Sequence, residues 1–481
     1  GLSHVLYLLV ASLIASPFLD LASHRRGLWR LSHAFNLACS LACLALMAYS
    51  YRASPGTWPR VIWYGEFGVG TCLLLDRAGL FMALTALALS ALASIYALGH
   101  GPISPGYCVA FTALMTGMVG VSFSGDLLTL YVFWEVMCLA AYALVAMGEF
   151  RDEALEAAWK YFIMASAGAI IMLFGASLAY GLAGTLNMPL LAERLGGAGG
   201  SWLHVALLFF LVGMGVEAAL FPLHTWLPDA HSAAPTPIST MLSGIVIEVG
   251  FYALAKVVLV LFGQSALLWQ TALALLCVAN MLVGSLSALV QRDVKRLLAY
   301  SSVANMGYLM AALASYGVRT LSAAFFFVLS HALSKGLAFL CAGHMATYAG
   351  SRDLRALRAL RTDMPLTTAL FFLSLLSLAG LPGTCGFVAK LVLISALFST
   401  ASWWLGALAL LNAVLMAAAY IRAIWSMLGP TGPRSGGRVG EGRLSLMAMF
   451  LMAILIVLLG LWPSPALRLA YLGAKDLLNV G

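Results

Sequence analysis

Ionisable residues set inside long apolar runs are the part of this sequence that could do chemistry. Glu217 ends the apolar stretch 205–216, and Glu248 sits near the middle of the apolar run that opens at Pro235-Thr236-Pro237. Glu135 stands mid-run in Phe133-Trp134-Glu135-Val136, and Lys160 lies about two turns into the next apolar segment, where it can face Glu135. His331 and Lys335, spaced i, i+4, share one helix face. His344 follows on the same run, and Lys390 lies beyond Gly380-Leu381-Pro382-Gly383. A charge at the centre of a bilayer costs about 3 kcal/mol or more unless it is paired or wetted, so each such residue is a functional-site candidate. Carboxylates, amines and imidazoles in a row suit a proton relay, because each sets its neighbour's affinity for protons. Glu217 and Glu248 on neighbouring helices do not both stay charged without a cation or water. That pair suits proton storage or a cation site.

Each candidate also has a plain structural reading. Glu135 could hold two helices in a static ion pair, Lys160 could snorkel to the interface, and a lone histidine could be a satisfied core residue. His224, Asp229 and His231, in and just after the Pro-rich stretch 221–230, read mainly as capping and loop anchors, as does Asp293-Val294-Lys295-Arg296. His231 is also a candidate proton uptake point. A metal site from His224, Asp229 and His231 is open by ligand type but poorly supported by their spacing. No phosphate loop or dinucleotide fingerprint is present, so no cofactor is implied. Eight cysteines are scattered without a Cys-x-x-Cys pair, which reads as packing rather than as an iron–sulfur or zinc site.

The elements that must position these groups are membrane helices. With 62% apolar residues, 9% charged and a mean hydropathy of +0.97, the chain is an all-α polytopic membrane protein. A soluble chain carries about 25% charged residues. The net charge of +8 does not imply nucleic acid, because the basic residues sit in alternate loops rather than on one face. The pattern predicts about fourteen spans. They cover 2–22, 29–50, 73–98, 105–123, 126–147, 154–182, 202–221, 236–262, 266–290, 296–316, 320–348, 364–400, 403–428 and 444–463. The first reads as a retained span rather than a signal peptide. The run 364–400 would be about 55 Å as one helix, too long for a bilayer, so it is expected to break at Gly380–Gly383. The seventh span is expected to break at Phe221-Pro222.

These interruptions, five spans apart, predict two inverted five-helix repeats with broken helices seven and twelve. One integral domain results, with residues 1–104 leading, 105–262 and 263–428 as the repeats, and 429–481 as a loop and final helix. Only Gly429–Gly442 reads as a flexible linker. One set of loops holds Arg25, Arg26, Arg30, Arg151, Arg292, Lys295, Arg296, Arg352, Arg355, Arg358, Arg361, Arg434, Arg438 and Arg443. The other set holds Arg52, Arg60, Arg77, Arg194, Arg319, Arg468 and Lys475. The first set is the richer, which predicts that it is cytoplasmic and that both termini are outside.

Several stretches resemble one known family. They are Phe133-Trp134-Glu135, the segment from Phe221-Pro222-Leu223-His224 to Ala234-Pro235-Thr236, Asp293 to Ser302, His331-Ala332-Leu333-Ser334-Lys335, and Leu381-Pro382-Gly383 through Lys390. Together they resemble the antiporter-like membrane subunits shared by respiratory complex I, Mrp-type Na⁺/H⁺ antiporters and group 4 membrane-bound hydrogenases of the formate hydrogenlyase type. The resemblance implies the same fourteen-helix fold. It also implies proton movement along a central polar axis, with sister membrane subunits and a hydrophilic redox arm as partners and the prokaryotic cytoplasmic membrane as location. Such a chain is a non-redox subunit of an ion-translocating oxidoreductase. Glu135, Lys335 and Lys390 match the family's ionisable positions on helices five, eleven and twelve.

Two positions depart from the family pattern. Glu217 stands where a lysine usually precedes the Pro-Leu-His-x-Trp segment, and Glu248 where the eighth helix often carries a lysine. In the first half that leaves Lys160 as the available cation. An altered proton route, a Na⁺-binding half and a half that no longer pumps all follow as readings. An Mrp-like antiporter subunit and a non-conducting membrane spacer are the competing functions.

Overall fold

Backbone polar groups in a bilayer must be satisfied within the segment, and the apolar runs do this as helices. The computed structural model describes residues 3–25, 28–53, 58–64, 71–101, 103–195, 200–263, 266–429 and 442–479. Helices α1 (Ser3–Arg25) and α2 (Trp29–Ala53) lead to a hairpin of β1 (Arg60–Tyr64) and β2 (Thr71–Leu75), paired antiparallel with Arg60 opposite Leu75. Then come α3 (Arg77–His100), α4 (Tyr107–Phe123), α5 (Leu127–Val145), α6 (Arg151–Ala183), α7 (Met188–Leu195), α8 (Ser201–Glu217), α9 (Trp226–Ala233) and α10 (Thr236–Met241). A π-helical turn, Leu242–Val246, joins α10 to α11 (Ile247–Phe262). The second half holds α12 (Ala266–Val290), α13 (Val294–Ala314), α14 (Val318–Ala349), α15 (Leu360–Asp363), α16 (Pro365–Ala379) and α17 (Cys385–Phe398). Helices α18 (Trp403–Leu428), α19 (Arg443–Leu461) and α20 (Ser464–Asn479) complete the chain.

Among the described residues, 11 helical spans are long and apolar enough to cross a membrane, or up to 12 if a bent pair at Asp363–Pro365 counts as one. Three shorter apolar helices, α4, α8 and α17, stand beside them. Burial sorts the spans into a centre and a rim. The span Thr236–Leu261 is 100% buried and Val294–Ala314 and Val318–Ala349 are each 94% buried, whereas His4–Ser23 is only 28% buried. A polar group on α11, α13 or α14 therefore faces protein rather than lipid.

Three boundaries differ from the sequence expectation. The run expected as helix from residue 73 begins as strand β2, and α3 starts at Arg77 because Asp76 caps it by accepting from the Gly79 amide. The seventh run stops at Glu217, four residues before Phe221-Pro222. Helix α20, beyond the last expected span, is amphipathic and escapes a hydropathy count; it packs on α3 and α14. Most of the expected linker, residues 430–441 with Arg434 and Arg438, lies outside the described residues, as does Arg26.

Candidate ion-translocation site

Glu217 occupies the last turn of α8, where the chain leaves the helix through Ala219 at a positive φ of 51°. Side chains satisfy the backbone groups freed there. Asn280 of α12 accepts from the Phe221 amide at 2.8 Å and donates to the Ala219 carbonyl at 3.0 Å. The Trp226 indole donates to the Val216 carbonyl at 2.8 Å. Gly250 lets α11 close on the break, since a Cβ there would meet the Ala218 nitrogen at 3.0 Å. Glu217 is buried, and neutral donors take both its oxygens: the Tyr161 hydroxyl on Oε1 and Cys138 Sγ on Oε2 at 3.5 Å. Tyr161 is itself stacked on Trp226 with ring centroids 3.9 Å apart.

Glu248 is fully buried on α11, in the turn after the π-helical segment. Its Oε1 pairs with His331 Nδ1 of α14, while Oε2 has no hydrogen-bond partner among the described residues. The π-helical turn is pinned by Ser243, whose hydroxyl meets that of Ser302 on α13 at 2.7 Å. Lys335, one turn on from His331, turns to α13 instead. It donates to the Leu298 carbonyl at 2.7 Å and to the Ser301 hydroxyl, with the Tyr420 ring 5.8 Å away. His331 and Lys335 thus share a helix face, as their spacing predicts, and reach different helices.

The second break lies between α16 and α17, with Gly380 at φ 102° and Gly383 at φ 89°. Lys390 of α17 bends back and donates to the Leu378 carbonyl at 2.6 Å and the Ala379 carbonyl at 3.4 Å. Those are the unpaired last carbonyls of α16, where a cation is favoured. A cavity of about 10 Å³ joins His331 to Lys390, lined by Asn305, Ser330 and Ser334 as well. It is large enough for about one water.

The other residues singled out in the sequence fall elsewhere. Glu135 is half-buried on α5, on the side that Cys138 continues toward Glu217. Lys160, expected to face Glu135, does not: it is 49% exposed and pairs with Glu156 at 2.7 Å and Asp229 at 3.1 Å. The i, i+4 spacing of Glu156 and Lys160 in the charged first turns of α6 already pointed away from Glu135. Arg296 binds the same Asp229 at 3.0 Å, which makes that aspartate an anchor between α6, α9 and α13. Asp293 caps α13 through the Arg296 amide, in line with the sequence reading. His231 is not at a surface; it is fully buried near Trp226 and Phe339, with no partner for either ring nitrogen among the described residues.

At the arginine-rich end, His344 meets the Tyr96 hydroxyl at 3.1 Å. His100 lies 3.7 Å from Glu149 and Thr347 donates to that carboxylate at 2.9 Å. The His100 contact chiefly, and Thr347 after it, hold Glu149 below the usual carboxylate range. A cavity of about 20 Å³ opens between Glu149, Ser232, Lys295, Thr347 and Arg352. Lys295 Nζ runs from it to the Ala234 carbonyl at 3.0 Å and Ser239 Oγ at 3.3 Å. Sequence reasoning passed over Tyr161, Asn280 and Lys256. Lys256 was findable, since it is an amine in the same apolar run as Glu248.

Residues 124–416 match the family described as NADH:quinone oxidoreductase/Mrp antiporter, transmembrane. The chain belongs to this family. Among this antiporter family's members, it is 35% identical over 445 residues to the NADH-quinone oxidoreductase subunit N of Desulforudis audaxviator, covering 89% of this chain and 88% of that one. It is 30% identical over 371 residues to a Na⁺/H⁺ antiporter subunit of Alkalihalophilus pseudofirmus, covering 76% and 74%. The fold matches a chain of the membrane-bound sulfane sulfur reductase, an archaeal respiratory membrane complex, with a TM-score of 0.90 and 30% identity over 100% of this chain and 98% of that one. As an antiporter-like membrane subunit, the protein carries Glu135 through Lys390 inside the matched segment, while Asp76 and all of α20 lie outside it.

Proposed function

We propose that this antiporter-like subunit moves protons through a complex I-like, redox-driven membrane complex, alongside sister membrane subunits and a hydrophilic arm. The observation that carries the reading is the buried series Glu217, Glu248, His331, Lys335 and Lys390, strung from one helix break to the other, with Glu248, His331 and Lys335 on two of the most buried spans. Each member has a partner that tolerates either protonation state: a hydroxyl, an imidazole or a helix-end carbonyl. A static structural pair would not need a single-water cavity between two of its members. Protons are taken up at the arginine-rich, cytoplasmic end, through the cavity at Glu149 and Lys295 and past His344. In this reading the breaks at 218–225 and 380–384 belong to two inverted five-helix repeats in a fourteen-helix chain with both termini outside.

The test is proton flux in liposomes that contain the complex purified with its partners. A potassium diffusion potential set by valinomycin drives the flux, and trapped pyranine reports it. Lys335→Met is expected to lower flux at least tenfold with the complex assembled; unchanged flux would overturn proton translocation by this chain. The same preparation with Na⁺ added or withheld separates the Na⁺/H⁺ reading, which requires flux to depend on Na⁺.

A further inference from the structure

Protons brought to the central series need a branch that leaves it toward the arginine-poor end. Glu248, Tyr252 and Lys256 follow one another at i, i+4 and i+8 on α11. That spacing lays them along one side of the helix, climbing about two turns from the central series. All three are buried. The Tyr252 hydroxyl reaches Asp76 Oδ1 at 3.4 Å and the Ser122 carbonyl at 3.3 Å. Lys256 Nζ donates to the Ser124 carbonyl at 2.6 Å and lies 5.6 Å from the Tyr252 ring. Asp76 caps α3 with Oδ1, yet its Oδ2 is fully buried without a partner among the described residues. A cap needs one oxygen, so the second is available for something else.

Helix α20 closes this cluster off. Next to Asp76, Arg77 grips Asp476 of α20 with Nε at 2.8 Å, a second guanidinium nitrogen at 2.8 Å and its backbone amide at 3.1 Å. Backbone meets backbone at Gly473, where a Cβ would lie 2.9 Å from Ala78 Cα. The arrangement is a buried acid and a buried amine directly beneath a latched surface helix.

We propose that Glu248, Tyr252, Asp76 and Lys256 form the release branch of the first half of the chain, with α20 as its cover. A proton leaves the Glu248 carboxyl, is carried by water past Tyr252, and converts the Asp76 carboxylate to the acid. Asp76 then returns it to water at the arginine-poor face when the Arg77–Asp476 latch parts, and becomes a carboxylate again. Lys256 stays charged throughout and stabilises that carboxylate after release. The first half then needs no lysine at Glu217 or Glu248, because its cation stands two turns away at Lys256. The inference rests on the proton-translocation reading above.

Asp76→Asn decides between a cap and a proton carrier, because asparagine caps a helix about as well as aspartate. In the liposome assay, Asp76→Asn and Lys256→Met are expected to cut flux about tenfold with the complex intact by size-exclusion chromatography. Tyr252→Phe should cut it several-fold. Wild-type flux in assembled Asp76→Asn overturns the branch, and if Lys256→Met fails to assemble, Asp76→Asn and Tyr252→Phe still decide. Lys335→Met in parallel separates the two ideas. Flux lost in Lys335→Met but kept in Asp76→Asn removes the branch alone, whereas flux kept in both removes translocation itself.

Discussion

Glu248 and His331 hold the series together at its centre, and their contact is the most consequential single pair in the molecule. Both are buried, and truncating either leaves the other without its partner. His331→Ala should therefore destabilise the protein by about 1–3 kcal/mol, the cost of an unsatisfied buried polar group. A lowered thermal unfolding midpoint would register this, and Glu248→Gln should cost less because an amide can still bond the imidazole. Glu217→Gln is the complementary case. Its partners are a hydroxyl and a thiol that can also accept from an amide, so folding should change little while proton flux falls if Glu217 carries protons. Equal flux in assembled Glu217→Gln would mean that the first half does not use it. At this scale much was legible: an ionisable residue in an apolar run is costly enough to need a reason, and Glu217, Glu248, Lys335 and Lys390 are all buried as that rule implies. Direction was less legible. Lys160 sits in the charged first turns of α6 and points outward to Glu156 and Asp229. Tyr161 and Cys138 became visible only once the break folded Trp226 and Glu217 against them.

Two breaks and one π-helical turn shape the series at the scale of elements, and each is secured differently. The first break depends on Asn280, which serves both the Phe221 amide and the Ala219 carbonyl. Asn280→Leu leaves both unsatisfied in a site without ready access to water. The expected loss is about 2–4 kcal/mol, with faster amide exchange confined to residues 218–225. The second break depends on close approach rather than on a polar clamp. At Gly386 a Cβ would collide with the Ser377 carbonyl oxygen, so Gly386→Ala must push α17 away from α16. Lys390 would lose its hold on the Leu378 carbonyl, and flux should fall with Lys390 itself unchanged. A wild-type Gly386→Ala would show that the α16–α17 packing has slack. Sequence located both breaks, because Pro and Gly interrupt apolar runs too long or too irregular for one span. It missed the β1–β2 hairpin and α20: the first joined an apolar run to its capping Asp76, and the second is half polar and never looks like a span.

For the whole molecule, sidedness connects every part of the functional reading, and the chain is suited to measuring it. The arginine-rich end is laced by Arg352 to Glu153 at 2.7 Å and to Asp293 at 3.1 Å, and by Arg296 to Asp229. The other end has the hairpin, α7 and α20, with the Arg77–Asp476 pair between α3 and α20. The charge bias predicts that the first end is cytoplasmic. All eight native cysteines are buried, and none forms a disulfide among the described residues, so a membrane-impermeant maleimide should find little background. Lys475 is exposed on α20 and Arg355 is exposed in the loop before α15. In intact cells Lys475→Cys should be labelled directly, and Arg355→Cys only after permeabilisation. The reverse pattern would invert the chain, and with it the uptake cavity at Glu149 and the release branch at Asp76 would exchange roles. The bundle itself would be unaffected, since packing around α11, α13 and α14 is indifferent to which side is cytoplasmic. In the proposed reading the sides of uptake and release follow from where a few arginines sit, and the labelling pattern tests that sidedness without any transport measurement.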